Sequence, residues 1–332
     1  MTTTPTHSQQ FWVTEPGRGE IVTKLIPSRA KNELVIKTLY TAISRGTETL
    51  VFNGQVPPSQ YDTMRSPFQE GEFPGPVKYG YSNVGICIDA PHNMASKLLG
   101  QTIFSLYPHQ DYFIIPANEV ITLPQLVPPK RAILAAGMET AVNAIWDSQP
   151  NIGDTIAVIG GGVIGLLVAY LCNRIPGTAV FLIDTDPQRE QIAQSLNLRF
   201  GTEPPLDLKP DLIFHASGQP SGLRVALSTA IPESTVIELS WYGDQAVTVP
   251  LGESFHSHRL TLKSSQVSNI VASRRLQWNH RKRLKLALEL LQDDDLDVLI
   301  SGESCFKELP QLFSDLMDTP PMQLCHRIAY PD

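Results

Sequence analysis

Residues 155–171 read TIAVIGGGVIGLLVAYL. An apolar run of strand length enters a turn with glycine at 160, 162 and 165, and an apolar run of helix length leaves it. This G-x-G-x-x-G arrangement suits a dinucleotide pyrophosphate. Gly160 permits the tight turn, Gly162 lets a phosphate approach the backbone, and Gly165 lets the helix pack close to the strand. Val163 and Ile164 open the helix, whose free amides and positive dipole end face the phosphates. Nineteen residues past Gly165 a second apolar run, AVFLID, ends in Asp184. A carboxylate there accepts hydrogen bonds from both ribose hydroxyls of NAD and repels a 2′-phosphate. The expected cofactor is therefore NAD(H) in preference to NADP(H), with Arg189 as the nearby cation able to reach a phosphate.

Outward from this turn the pattern alternates. AVFLID, PQREQIAQSLNL, DLIFHASG, SGLRVALSTAI and STVIELS (179–240) read as strand, helix, strand, helix, strand. Such alternation implies βαβ units and a parallel sheet with helices on both faces, the doubly wound α/β class. Before it, residues 11 to 145 are rich in proline and glycine, with short β-type runs such as ELVIKTLY, VGICI, QTIFSL and DYFIIPA, followed by a helical stretch over 130–148. They read as an irregular β domain. After LTLKSSQV come a helix, RKRLKLALELLQ, and a last β-type run, QLCHRIAY (323–330), read as a return to the first domain. The expected division is 1–146, 147–279 and 280–332.

Composition narrows the function classes. With 332 residues, 42% hydrophobic and 18% charged, the chain has the make-up of a globular protein of about two domains. Its net charge of −7 argues against a nucleic-acid partner. The stretch SRRLQWNHRKRLK (273–285) is basic and carries a Trp, and it reads as a solvated loop leading into a helix. No apolar run approaches the ~20 residues of a membrane span. The opening MTTTPTHSQQFW is polar, so a cytoplasmic location and no membrane partner are expected. Cys87, Cys172, Cys305 and Cys325 stand far apart, which fits reduced thiols better than a zinc lobe or disulfide framework.

SRGTETLVFNG (44–54), PVKYGYSNVG (76–85), GQTIF (100–104), ETAVNAIW (139–146), the glycine turn with Asp184, and LIFHASG (212–218) together carry a family likeness. The chain resembles the medium-chain dehydrogenase/reductase, alcohol dehydrogenase-like superfamily. The details SRGTE, YGYS and SWYG resemble a metal-free-looking branch that includes bacteriochlorophyllide (hydroxyethyl) dehydrogenase-like proteins. The resemblance implies a GroES-like first domain, a Rossmann second domain, and a homodimer that meets around residues 255–275. It also implies that Thr47 hydrogen-bonds the substrate oxygen, that Thr140, Ser217 and Ser240 lie beside the cofactor, and that Tyr107 lines the substrate pocket.

The same resemblance puts Arg45, Tyr81 and Ala136 where zinc-dependent relatives have their three zinc ligands, and Ser82 where they have the accompanying Glu. A guanidinium, a phenol and a methyl group do not make the three-ligand site that a catalytic zinc needs. No zinc is expected. Something else must then supply the proton or the positive potential. Tyr81 is the first candidate, with Lys78 three residues earlier as a cation that would lower its pKa. The alternative is an aromatic ring filling the vacated volume. Arg45 and Glu48 read either as a buried ion pair or with Arg45 touching the substrate oxygen. Glu139 is a second acid/base candidate or a helix-surface carboxylate, and His109 a loop histidine bonded to backbone or a proton relay. Trp241 reads as a pocket wall or as core.

The expected function is zinc-independent, NAD(H)-dependent interconversion of a secondary alcohol and its ketone on a fairly large or aromatic small molecule. The alternatives are reduction of an activated C=C bond and a non-catalytic dinucleotide-binding redox sensor.

Overall fold

The structure, a computed structural model, describes residues 5–318 and 324–330. It divides into two compact units, Met1–Ala136 with Ile300–Asp332, and Gly137–Leu299.

The first unit begins with β1 (His7–Glu15), β2 (Arg18–Leu25) and β3 (Glu33–Ile43), then a helix, α1 (Arg45–Phe52). There follow β4 (Glu70–Gly71), β5 (Val77–Lys78), β6 (Asn83–Asp89), α2 (His92–Leu98), β7 (Thr102–Ser105), β8 (Tyr112–Pro116), β9 (Ile121–Thr122) and α3 (Pro129–Ala132). β1 pairs antiparallel with β2 and β5, and β5 with β4. β3 pairs with β6 and β8 and anchors a second sheet. The inward positions of these short strands, Leu34, Ile36, Ile103, Phe113 and Ile115, form one buried cluster, as period-2 alternation on a half-buried sheet requires.

The second unit carries the alternating segment. After α4 (Ala135–Ser148) come β10 (Thr155–Ile159), α5 (Val163–Cys172), β11 (Ala179–Ile183), α6 (Arg189–Ser195), β12 (Arg199–Gly201), β13 (Leu212–His215), α7 (Pro220–Thr229), β14 (Thr235–Glu238), β15 (Thr261–Ser264) and α8 (His280–Leu290). The strands form one parallel sheet in the order β12-β11-β10-β13-β14-β15. The order steps outward from β10 through β11 to β12, then returns to the other side of β10 at β13. That reversal opens a crevice at the carboxyl ends of β10 and β13, where doubly wound sheets bind ligands. Burial of Ile156, Ala157, Val158, Ile213, Phe214, Val236 and Ile237 explains why these strands read as nearly continuous apolar runs.

The chain then returns to the first unit as β16 (Ile300–Cys305), α9 (Leu309–Asp318) and β17 (Cys325–Ala329), with β17 pairing antiparallel to β3. The unit boundaries fall at 136/137 and 299/300, where the sequence reading put 146/147 and 279/280. A buried ion pair ties α8 to α4 inside the second unit: Arg283 on α8 donates to Glu139 on α4 at 3.0 Å and also bonds Asn143 and the Val267 carbonyl. The helix expected over 130–148 is two pieces, α3 and α4, separated at Ile133–Leu134, where the Leu134 amide reaches only to the Arg131 carbonyl. All four cysteines are free thiols. Among the described residues no helix is long and apolar enough to cross a membrane.

Candidate functional site

In the second unit the glycine turn has the geometry its spacing implies. Gly160 has φ +109°, and a Cβ there would lie 2.6 Å from the Ser217 amide nitrogen. A Cβ on Gly165 would lie 1.8 Å from the Gly160 carbonyl oxygen, so only glycine lets α5 approach β10 this closely. Gly162 caps α5 and faces open space, and Val163 and Ile164 form the first, half-buried turn. Asp184 directly follows β11 with its carboxylate fixed: Oδ2 accepts from the Gly161 amide at 2.5 Å and Oδ1 from the Asp186 amide at 2.9 Å. Arg189 is buried with its Nε 3.4 Å from Asp186 Oδ2, so the guanidinium named as a phosphate contact faces a carboxylate. These features fit a dinucleotide: a close-approach turn, a helix N-terminus and an anchored acid at the ribose position.

Ser217 and Ser240 stand at the carboxyl ends of β13 and β14, and two residues that pattern reading passed over hold them. His215 Nε2 lies 2.7 Å from Ser217 Oγ, and its Nδ1 lies 2.8 and 2.9 Å from the two Glu238 oxygens. The signal was present in the sequence. A His and a Glu interrupt two otherwise apolar strands, and buried polar groups require partners. Trp241 is half-buried after β14, outside the buried core, and Thr140 is half-buried on α4. Glu139 corrects the expectation. It is neither a free acid nor a surface carboxylate but 5% exposed and paired with Arg283. Burial raises its pKa against the opposing pull of that guanidinium.

The first unit gathers a different set. Tyr81 is half-buried and lies beside the Ser44 and Thr47 side chains. Burial, reinforced by the Glu48 carboxylate, raises its pKa to about 12 against the opposing pull of those two neighbours. Behind it Glu48 and His109 are buried. Glu48 Oε1 accepts from the Ser44 amide at 2.8 Å, and Oε2 lies 2.8 Å from His109 Nε2. His109 Nδ1 lies 2.7 Å from Thr41 Oγ1, which is 3.2 Å from the Tyr330 hydroxyl. Gly80 makes this arrangement possible: at φ +124° a Cβ would sit 2.9 Å from His109 Cδ2.

Several expectations change here. His109 bonds two side chains rather than backbone, and the Glu48 carboxylate is engaged by His109 and the Ser44 amide. Arg45 opens α1 half-buried. Lys78 does not lower the Tyr81 pKa. Its ammonium is fully buried and donates to Glu70 and, at 2.6 Å, to Gln110 Oε1. Tyr107 is not a pocket wall but core: it stacks on Phe113 at 3.9 Å and Phe68 at 5.0 Å, and burial raises its pKa.

At the three positions matched to zinc ligands stand Arg45, Tyr81 and Ala136, and Ser82 donates to the Ile133 carbonyl at 2.5 Å. This donor set does not fit a catalytic zinc, which takes three thiolate, imidazole or carboxylate ligands. Among the described residues, Asp293, Asp294 and Asp295 are the one group of three acidic, His or Cys side chains close enough to share an ion.

No family model matches the chain. It is 22% identical over 319 residues to D-guloside 3-dehydrogenase of Escherichia coli K12, covering 88% of this chain and 91% of that protein. Among solved structures it resembles RspB, an alcohol dehydrogenase from E. coli CFT073 complexed with NADH, with a TM-score of 0.75, 17% identity, and coverage of 98% and 100%. It likewise resembles a putative zinc-binding dehydrogenase from Sinorhizobium meliloti 1021 bound to NADP, with a TM-score of 0.75, 17% identity and the same coverage. With a Rossmann sheet, its glycine turn and a separate antiparallel β unit in one chain, this protein has the fold of medium-chain, alcohol dehydrogenase-like dehydrogenases and is similar to them along most of its length.

Proposed function

We propose that this protein is a zinc-independent, NAD(H)-dependent oxidoreductase that interconverts a small-molecule secondary alcohol and its ketone, with Tyr81 as the proton donor. The observation that carries this reading is a phenol beside Ser44, Thr47 and the Glu48 carboxylate, at the position where the family resemblance implies a zinc ligand. A phenol whose pKa is about 12 stays protonated at neutral pH. It is still far more acidic than the alcohol formed when the alkoxide of a hydride-reduced ketone is protonated, so proton transfer from Tyr81 Oη to that oxygen runs downhill. Thr47 orients the phenol, and Glu48, held by His109 and the Ser44 amide, penalises the phenolate and keeps the proton on Tyr81.

In this reading the second unit holds the dinucleotide on the Gly160–Gly165 turn, with Asp184 at the adenosine ribose. The chemistry the dinucleotide supplies is hydride. NADH is preferred because a 2′-phosphate beside Asp184 would meet a second carboxylate, Asp186, which already faces Arg189. The relatives do not decide between cofactors, since one structure holds NADH and another NADP. In the same reading the chain forms a homodimer through β15, the edge strand of the parallel sheet.

The test is steady-state assay of protein purified without added metal, with NADH and NADPH, against panels of ketones, alcohols and enones. Ketone reduction that survives chelation, with NADH at least several-fold better than NADPH and Asp184→Ser narrowing the gap, supports the reading. About one zinc per chain with activity lost on chelation overturns it, and turnover confined to enones moves the assignment to C=C reduction.

A further inference from the structure

An ionisable pair lies in the crevice at the carboxyl ends of β13 and β14. His215 and Glu238 are the last residues of adjacent parallel strands and pair directly in register. The Glu238 carboxylate collects both contacts from His215 Nδ1, the Ser240 amide at 2.8 Å and the Tyr242 hydroxyl at 3.2 Å. Ser217 Oγ accepts from the Gln219 amide at 3.1 Å and lies 2.7 Å from His215 Nε2 and 3.5 Å from the Gln219 carbonyl oxygen. Nδ1 faces the Glu238 carboxylate, which can only accept, so Nδ1 is the donor of that contact. Burial alone would raise the Glu238 carboxyl, but the His215 and Ser240 contacts outweigh it and hold the group below its ordinary value.

The position of this charge relative to a bound dinucleotide follows from the sheet order. The glycine turn follows β10, and Asp184, directly after β11, marks the adenosine side. Ser217 backs directly onto Gly160. The other mononucleotide half of the crevice therefore lies over β13 and β14, above the Glu238 carboxylate, which is 13% exposed. Oxidised nicotinamide carries a positive charge and reduced nicotinamide carries none.

We propose that Glu238, oriented by His215, sets the redox-state preference of the dinucleotide site, its carboxylate stabilising NAD⁺ relative to NADH. This rests on the reading of the crevice as a dinucleotide site. Direct binding titrations of NAD⁺ and NADH separate the two: parent protein that binds neither overturns both, whereas parent binding followed by the variants tests the charge alone. Glu238→Gln keeps the acceptor for His215 and removes the charge. It should raise the ratio Kd(NAD⁺)/Kd(NADH) about three- to tenfold, the size expected of one charge in a half-shielded crevice. Glu238→Asp keeps the charge and should keep the parental ratio. Ser217→Ala removes a neutral contact and should move both affinities together. A Glu238→Gln protein in which both affinities fall equally, or neither changes, overturns the proposal. Should that variant not fold, a Glu238→Asp ratio shifted as far as threefold overturns it, and an unchanged one supports it.

Discussion

The glycine turn of the second unit and the Tyr81 cluster of the first are both built around a glycine at positive φ, yet they differ in how far apart in the chain their parts lie. Gly160, Gly162, Gly165 and Asp184 fall within 25 residues, the glycines acting through backbone geometry that the local spacing specifies and Asp184 through a carboxylate held by the nearby Gly161 and Asp186 amides. The Tyr81 cluster joins Thr41, Ser44, Thr47, Glu48, His109 and Tyr330, with 61 residues between Glu48 and His109 and 289 between Thr41 and Tyr330. A turn that binds through amides constrains nearby residues only. A site that works through side-chain protons has to be assembled by packing.

The largest effect should come from the cluster. Tyr81→Phe removes the proposed donor and should lower ketone-reduction turnover by about 10²–10⁴, while NADH affinity stays within about twofold. Stopped-flow turnover alongside NADH titration checks this, and a fully active variant would return Tyr81 to packing and erase the contrast between the two regions. The parent should also show no loss of turnover attributable to this phenol between pH 7 and pH 10. A pKa raised from 10 to about 12 keeps the proton bound below the ordinary value, and the associated stability is lost only as pH rises from about 10 through about 12.

Next in size is Glu139→Ala, which leaves Arg283 buried without its partner. Breaking a buried pair in this way costs about 3–5 kcal/mol, and urea unfolding should register that loss. Turnover per folded molecule should be nearly unchanged. A variant of parental stability and absent turnover would instead restore Glu139 as an acid/base group and extend the chemistry beyond Tyr81.

The smallest effect should come from Lys78→Met. The ammonium is buried against Glu70 and Gln110, and Glu70 is 47% exposed, so water can solvate the carboxylate left behind. Replacing the buried charge by an apolar side chain of similar length should change stability by no more than about 1 kcal/mol. The pH profile of turnover should not move. An upward shift of the optimum would place the lysine in electrostatic contact with Tyr81 after all.

Much of the second unit was legible because the parallel sheet is buried on both faces and writes apolar runs punctuated by glycine. The exceptions, His215 and Glu238, were visible as polar interruptions, but their pairing depends on the register between β13 and β14, which no local pattern carries. In the first unit the β-type runs were legible, whereas Tyr107 was misassigned because a resemblance transfers a position and not a neighbourhood. Phe68 and Phe113 close over its ring.

By itself, the sequence determined the two-part architecture, the glycine turn, the acid that follows the next strand and the presence of Arg45, Tyr81 and Ala136 where the family resemblance implies zinc ligands. All of these are properties of residue type at fixed local spacing. Tertiary structure alone decided that Glu48 meets His109, that Lys78 turns away to Glu70, that Glu139 is neutralised by Arg283, and that α8 stays with the parallel sheet. The physical reason is that a buried charge accepts whichever partner the packed chain brings within about 3 Å, and sequence separation places no limit on that choice.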